Sequence, residues 1–280
     1  LGDTDIMAQA LDPFRLTDKL DPNALEVMIT RLEARGGHPN FAGPLSAYLD
    51  RMEIDDKANV LDLGCGTGVA ARAIAQRPGF GGSVLGIDLS DYLVDAAKRL
   101  AEREKLSDRV RFEAGDSRAL GLQSGSLDAV VAHTLFSHLD DPPRTLAEMR
   151  RLLPQGASAC IFDGDYASMT FELSDERRSR HMDDAIVASL VTNPRILRQL
   201  PRLLKQAGFV IETVIPSIIA EIGGADFWRS GIEAYAKLAP RAGIVDEAEA
   251  SSWLDELLAA SAAGEFFGCC VYYAYIARAV

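Results

Sequence analysis

Asp62 stands inside an aliphatic run that ends in three glycines at alternate positions, VLDLGCGTG from Val60 to Gly68. Missing Cβ atoms at Gly64, Gly66 and Gly68 permit positive φ and let a ligand approach bare main chain just past a strand. A second acid, Asp88, closes SVLGID twenty residues after Gly68, where a carboxylate can accept hydrogen bonds from two ribose hydroxyls. A third, Asp116, follows RVRFEAG at the corresponding edge and suits an exocyclic adenine amine. The chemistry implied is recognition of an adenine nucleoside. A dinucleotide fingerprint would place its third glycine where Val69 stands, and hydride transfer gives no reason for an acid at the third strand end, so a nicotinamide-dependent reading is disfavoured.

Each residue also has a plainer reading. Asp62 could bond local backbone amides, Asp88 could cap the helix that begins near Ser90, and Asp116 with Ser117 could form a simple turn. Arg31 and Arg35 share a helical face and could supply a cation for a ligand carboxylate, or be solvated. His133 is the first candidate for a general base, since an unperturbed imidazole is neutral and basic near pH 7; a packed or ligand-orienting role is its alternative. Asp163 and Asp165 in CIFDGDY are further base candidates, and their DxD spacing alone is poor evidence for a metal, so none is expected. His138, Tyr166 and His181 are weaker candidates.

The elements that must carry these residues alternate along the chain. NVLDLG, SVLGIDL, RVRFEAGD, LDAVVAHT and ASACIFDGD read as strands, separated by the amphipathic stretches VAARAIAQR, DYLVDAAKRLAEREKL and PPRTLAEMRRLL. That rhythm predicts an α/β doubly wound, Rossmann-like core with a parallel sheet covered on both faces, spanning residues 56–165. Residues 1–55 predict a helical cap, 166–195 a lid insert, 196–216 a continuation of the core, 217–268 a helical cap insert, and 269–280 a final core strand.

Five signals in order, VLDLGCGTG, GIDLS, AGDSRAL, LDAVVAHTLFSHLDDP and EMRRLLPQGA, resemble the class I S-adenosylmethionine-dependent methyltransferases over about Val60 to Asp163. The resemblance implies seven strands, the last, CCVYYAYIARA, inserted antiparallel. It implies S-adenosylmethionine as cofactor and S-adenosylhomocysteine as product. Asp62 and the loop Gly64, Cys65, Gly66 and Gly68 would then lie beside the methionine moiety, and Asp88 on the ribose. Leu89 would face the adenine, Asp116 and Ser117 its edge, and His133 and Thr134 the sulfonium. LLPQGA lacks a second glycine common in the family; that turn is structural, so cofactor binding is unaffected.

Composition narrows the acceptor. With 29 basic and 41 acidic residues the chain carries a net charge of −12, which repels nucleic acid and anionic lipid. Cys65, Cys160, Cys269 and Cys270 show neither zinc spacing nor a disulfide framework nor an evident thiolate trio, which fits structural thiols in a reducing cytoplasm and sets arsenite aside. No basic stretch followed by an apolar one opens the chain, so an intracellular protein without membrane insertion is expected. Aromatic, helical inserts suit a small, partly apolar organic acceptor, with the O, N or C acceptor atom open and a homodimer allowed. A same-fold enzyme running cyclisation or decarboxylation, and a cofactor-binding pseudoenzyme, are the alternatives.

Overall fold

The computed structural model describes residues 12–15, 17–18 and 20–280. Two helices lead, α1 (Pro22–Gly37) and α2 (Pro39–Arg51). The core follows as β1 (Asn59–Leu63), α3 (Val69–Ala75), β2 (Ser83–Asp88), α4 (Asp91–Arg103), β3 (Val110–Ala114), β4 (Ala129–His133), α5 (Pro142–Leu152) and β5 (Ser158–Phe171). Then come α6 (Glu176–Leu190), α7 (Ile196–Gln206), β6 (Phe209–Gly223), α8 (Arg229–Leu238), α9 (Glu247–Ala263) and β7 (Phe266–Ala279).

The seven strands form one sheet in the order β3-β2-β1-β4-β5-β7-β6, parallel from β3 to β5, with β7 antiparallel to both of its neighbours. Strand order reverses between β1 and β4, so the loops leaving their carboxyl ends diverge and open a crevice there. Both faces are covered, which is why the central strands are almost wholly apolar. Leu61, Leu63, Val130, Ala132 and Ile161 pack beneath α5 and α7. On the other face Val60, Val131 and Phe162 meet Phe41 and Tyr48 of α2, Ile74 of α3 and Ala97 of α4.

Helix starts follow local chemistry. Asp21 accepts from the amides of Asn23 and Ala24 ahead of α1, with Pro22 fixing the first turn, and Asp141 accepts from Arg144 ahead of Pro142 in α5. The left-handed Gly208 follows α7 and ends it.

The later boundaries differ from the expected ones. Strand β5 runs on to Phe171 through an irregularity between Asp165 and Thr170, β6 continues to Gly223, and β7 starts at Phe266. The stretches 166–171 and 217–223, expected in a lid and a helical insert, therefore extend the sheet. Pro216 made the longer β6 hard to read, but β6 is the edge strand, where a missing N–H costs no ladder bond on the open side. The extension carries α6, α8 and α9 around Phe171, whose ring meets Trp228 and Trp253 edge-on at 5.3 and 5.6 Å.

Candidate active site

Residues that share a strand parity share a face, and the side chains around the crevice follow that rule. Asp62 on β1, Asp88 on β2, His133 on β4, Phe162 on β5 and Tyr272 on β7 lie on the side covered by α1 to α4. Three adjoining cavities occupy it. The first, about 110 Å³, is walled by Ile87, Asp88, Leu89, Gly115 to Arg118 and Leu139. The second, about 80 Å³, is walled by Asp62, Gly64 to Thr67, Asp88, His133 and Thr134. The third, about 200 Å³, is an aromatic chamber with Arg31, Tyr166, Trp228, Tyr235 and Tyr272. Arg35 borders the second and third, and Phe14 borders all three.

The glycine loop has left-handed φ at Gly64 (71°), Gly66 (53°) and Gly68 (80°). At Gly68 a Cβ would also stand 2.5 Å from the Phe112 ring, so no larger residue fits. Gly68 has no side chain with which to cap α3; Asp62 does so instead, its Oδ2 accepting from the Ala71 amide at 2.9 Å. Asp62 Oδ1 and Thr67 Oγ1 are buried without a partner among the described residues. Burial, with Asp88 adding its charge, pushes the Asp62 carboxyl up to about 7.

Asp88 Oδ2 accepts from the Gly66 amide at 2.8 Å and Oδ1 from the Ser90 amide at 3.0 Å. The carboxylate thus ties the loop to its own strand end, with one lone pair on each oxygen to spare. Burial raises its pKa against those bonds. Leu89 is 45% exposed beside it. Cys65 contributes wall rather than chemistry, because burial raises its thiol pKa well above the ordinary value.

Three residues with expected roles meet surroundings that constrain those roles. Asp116 is not a free acceptor: both oxygens receive the Arg118 guanidinium, with Nη2 to Oδ2 at 2.6 Å, and Ser117 Oγ bonds Thr145 Oγ1 at 3.2 Å. His133 does lie at the crevice, but burial and then the Arg35 cation lower its pKa to about 3, which makes it a poor general base. Its Nδ1 is 3.0 Å from the Tyr48 hydroxyl and its ring stacks on Phe162 at 4.9 Å, so it is held as a neutral, oriented imidazole. Asp163 lies one parity step away on the opposite face. It is fully buried and accepts from the Ser137 amide (2.8 Å), the Ser137 hydroxyl (3.0 Å) and the Gly164 amide (2.8 Å), pinning the turn after β4. Asp165 pairs with Arg198 at 2.8 Å, and His181 lies 3.1 Å from the Ile244 carbonyl, away from the crevice.

Thr134 leaves β4 at φ 58°, uncommon for a β-branched residue, with its amide on the Phe162 carbonyl and its hydroxyl accepting from Arg35 at 3.1 Å. That strain sits at the strand end where ligands bind. His138, among the weaker candidates, ties the turn after β4 to the chain ahead of α1, its Nδ1 meeting Asp12 Oδ2 at 2.8 Å. Burial opposes the imidazolium, but Asp12 outweighs it and the pKa is raised. Asp12 also accepts from the Thr192 amide and hydroxyl at 3.0 Å. Asp12 and Tyr272 were passed over in the sequence. For Tyr272 the signal was present in the alternation of CCVYYAY.

Comparison with known proteins agrees with this frame. A methyltransferase domain model matches residues 60–156, the glycine loop through the turn before β5. An uncharacterised 37.1 kDa protein in transposon Tn4556 of Streptomyces fradiae is 34% identical over 236 residues, covering 84% of this chain and 66% of that protein. The sterol 24-C-methyltransferase erg6 of Aspergillus fumigatus is 34% identical over 113 residues, 40% of this chain and 29% of that enzyme. The chain thus spans two thirds or less of these relatives. Among solved structures, geranyl diphosphate C-methyltransferase from Streptomyces coelicolor, crystallised with S-adenosyl-L-homocysteine and Mg2+, shares the fold with a TM-score of 0.54 at 16% identity, over 85% of this chain and 76% of that one. The matched segment, residues 60–156, coincides with the strands and loops that build the crevice, and this part of the chain is a methyltransferase domain of the class I kind, whose cofactor is S-adenosylmethionine.

Proposed function

We propose that the protein transfers a methyl group from S-adenosylmethionine to a small, partly apolar organic acceptor. One observation carries this reading: the two cavities at the β1 and β2 ends adjoin, across Arg35, a separate aromatic chamber suited to a second molecule. When bound, the cofactor supplies an electrophilic methyl on a sulfonium. The side chains around it do the holding. Asp88 has a spare lone pair on each oxygen for ribose hydroxyls, and Leu89 offers an apolar face to the adenine. The unpartnered Asp62 Oδ1 fits the cofactor ammonium, and Arg35 with Thr67 fits its carboxylate. Asp116 meets the adenine edge only while sharing its carboxylate with Arg118.

His133, Phe41 and Phe162 hold the crossing point between cofactor and chamber apolar, which excludes water and fixes the line of displacement. His133 lies at the crevice but is a weak base, and Asp163 lies on the opposite face, so we assign catalysis to positioning, with the acceptor entering as a competent nucleophile. Helices α1, α2, α6, α8 and α9 form the cap in this reading. No helix among the described residues is long and apolar enough to cross a membrane. A cytoplasmic setting, a homodimer and the absence of a nucleic-acid partner complete the proposal, the last supported by the net charge of −12.

Calorimetric titration with S-adenosylmethionine, S-adenosylhomocysteine and NADH, repeated on Asp88→Ala, tests it. Micromolar binding of the sulfur nucleotides, weakened about a hundredfold or more in the variant, is expected, since a bidentate charge-assisted contact and a loop tie are lost together. Binding of NADH alone would overturn it.

A further inference from the structure

The aromatic chamber holds a charge that nothing around it answers. Arg31 and Arg35 lie one turn apart on the same face of α1, so two guanidinium groups line one cavity of about 200 Å³. Arg35 has the Thr134 hydroxyl and the Phe41 ring, 4.8 Å away, as partners. Arg31 has no ion pair and no hydrogen bond among the described residues; the groups that act on it are Tyr235, Arg35 and Tyr166. Asp226, the one carboxylate on the chamber wall, is exposed and forms no ion pair with it. Burial, with the neighbouring Arg35, lowers the pKa of Arg31. A guanidinium drawn out of water beside a like charge is unfavourable unless an anion completes the site.

The remaining polar atoms point to the same kind of ligand. Tyr166, Tyr235 and Tyr272 line the chamber, and none of the three hydroxyls has a hydrogen bond among the described residues. Burial raises all three pKa values, so they remain donors at neutral pH. Two planar forks and three hydroxyl donors against aromatic walls suit an oxyanion on a flat or apolar body. The volume lies below the roughly 300–1,000 Å³ of sites for drug-sized ligands.

We propose that the methyl acceptor is a small organic carboxylate, anchored by Arg31 through its planar, two-pronged guanidinium, with the aromatic walls taking the apolar body. The inference rests on the methyltransferase reading and narrows its acceptor. A carboxylate is favoured over a phosphate ester because its planar pair of oxygens matches one guanidinium fork, and Arg35 is shared with the cofactor compartment. Arg31 is here an acceptor-anchoring residue; the reacting atom lies elsewhere on the same molecule, toward Arg35 and His133.

The test is calorimetry on the full chain saturated with S-adenosylhomocysteine, using 4-hydroxybenzoate and hexanoate against 4-hydroxybenzamide and hexanamide, with phenyl phosphate as a further arm. Each carboxylate should bind about tenfold to a hundredfold tighter than its amide, the range expected for a charge-assisted pair. Arg31→Gln should erase that preference and Arg31→Lys restore part of it, while both variants bind S-adenosylhomocysteine as wild type does, which reports an intact fold. Equal affinity for acids and amides, no binding of any acid, a preference that survives Arg31→Gln, or tighter binding of phenyl phosphate would overturn the proposal. Failure of wild type to bind S-adenosylhomocysteine would instead overturn the methyltransferase reading; the carboxylate preference is then scored on nucleotide-free protein.

Discussion

Asp62 is the residue whose charge state the fold leaves near balance. In the free protein its carboxyl is raised to about 7, so at pH 6 most molecules carry it protonated and at pH 8 most carry it ionised. An ammonium recognises the ionised form, and apparent affinity scales with the competent fraction. The dissociation constant for S-adenosylhomocysteine should therefore fall about tenfold between pH 6 and pH 8, with a proton released on binding near pH 6. Asp62→Asn should flatten that dependence, as titration in buffers of different ionisation enthalpy would report. His133 makes the opposite case: with a pKa near 3 it is neutral throughout the working range. Replacing it with Asn should lower kcat by misplacing the acceptor while leaving the pH profile of kcat/KM unchanged in shape. An inflection near pH 6 to 7 that vanishes in the variant would return the imidazole to the role of a base. The placement of the glycine loop, Asp62 and Asp88 at the crevice was legible because spacing encodes backbone position. Asp163 was not, because one parity step on β5 decides between the crevice and the turn after β4, and DGD looks the same from either side.

Among the elements, the strands beyond the core edge carry the larger surprise. β7 passes Phe171 so closely that a Cβ on Gly268 would stand 2.9 Å from its ring and 2.8 Å from that of Phe266. Gly268→Val should therefore destabilise the protein by about 1–3 kcal/mol through overpacking, read as a lower urea midpoint with an unchanged slope. A stability equal to wild type would mean that the extension is not packed as described. The core alternation was legible since each strand and helix follows its own period. The extension was not, because a proline and paired glycines punctuate it, and only the edge position of β6 and the closeness of the rings make those residues tolerable. The cap helices were legible as helices, though their seat on strands rather than on loops was hidden in long-range pairing.

At the scale of the molecule, Phe14 connects parts that the chain order keeps apart. It walls all three cavities, meets the His138 ring at a tilt with centroids 4.8 Å apart, and follows Asp12, which is tied to both the turn after β4 and the segment after α6. A nucleotide in these compartments would lie against Phe14, and the Asp12 contacts hold the short stretch that carries its ring. If release past that ring is the slow step of the proposed methyl transfer, rapid mixing will show a burst of methylated product followed by a slower steady rate. Phe14→Ala should shrink the burst by speeding the steady phase. On that outcome the short stretch from Asp12 to Phe14 would set the tempo of turnover, a clock placed at the door and not at the sulfur.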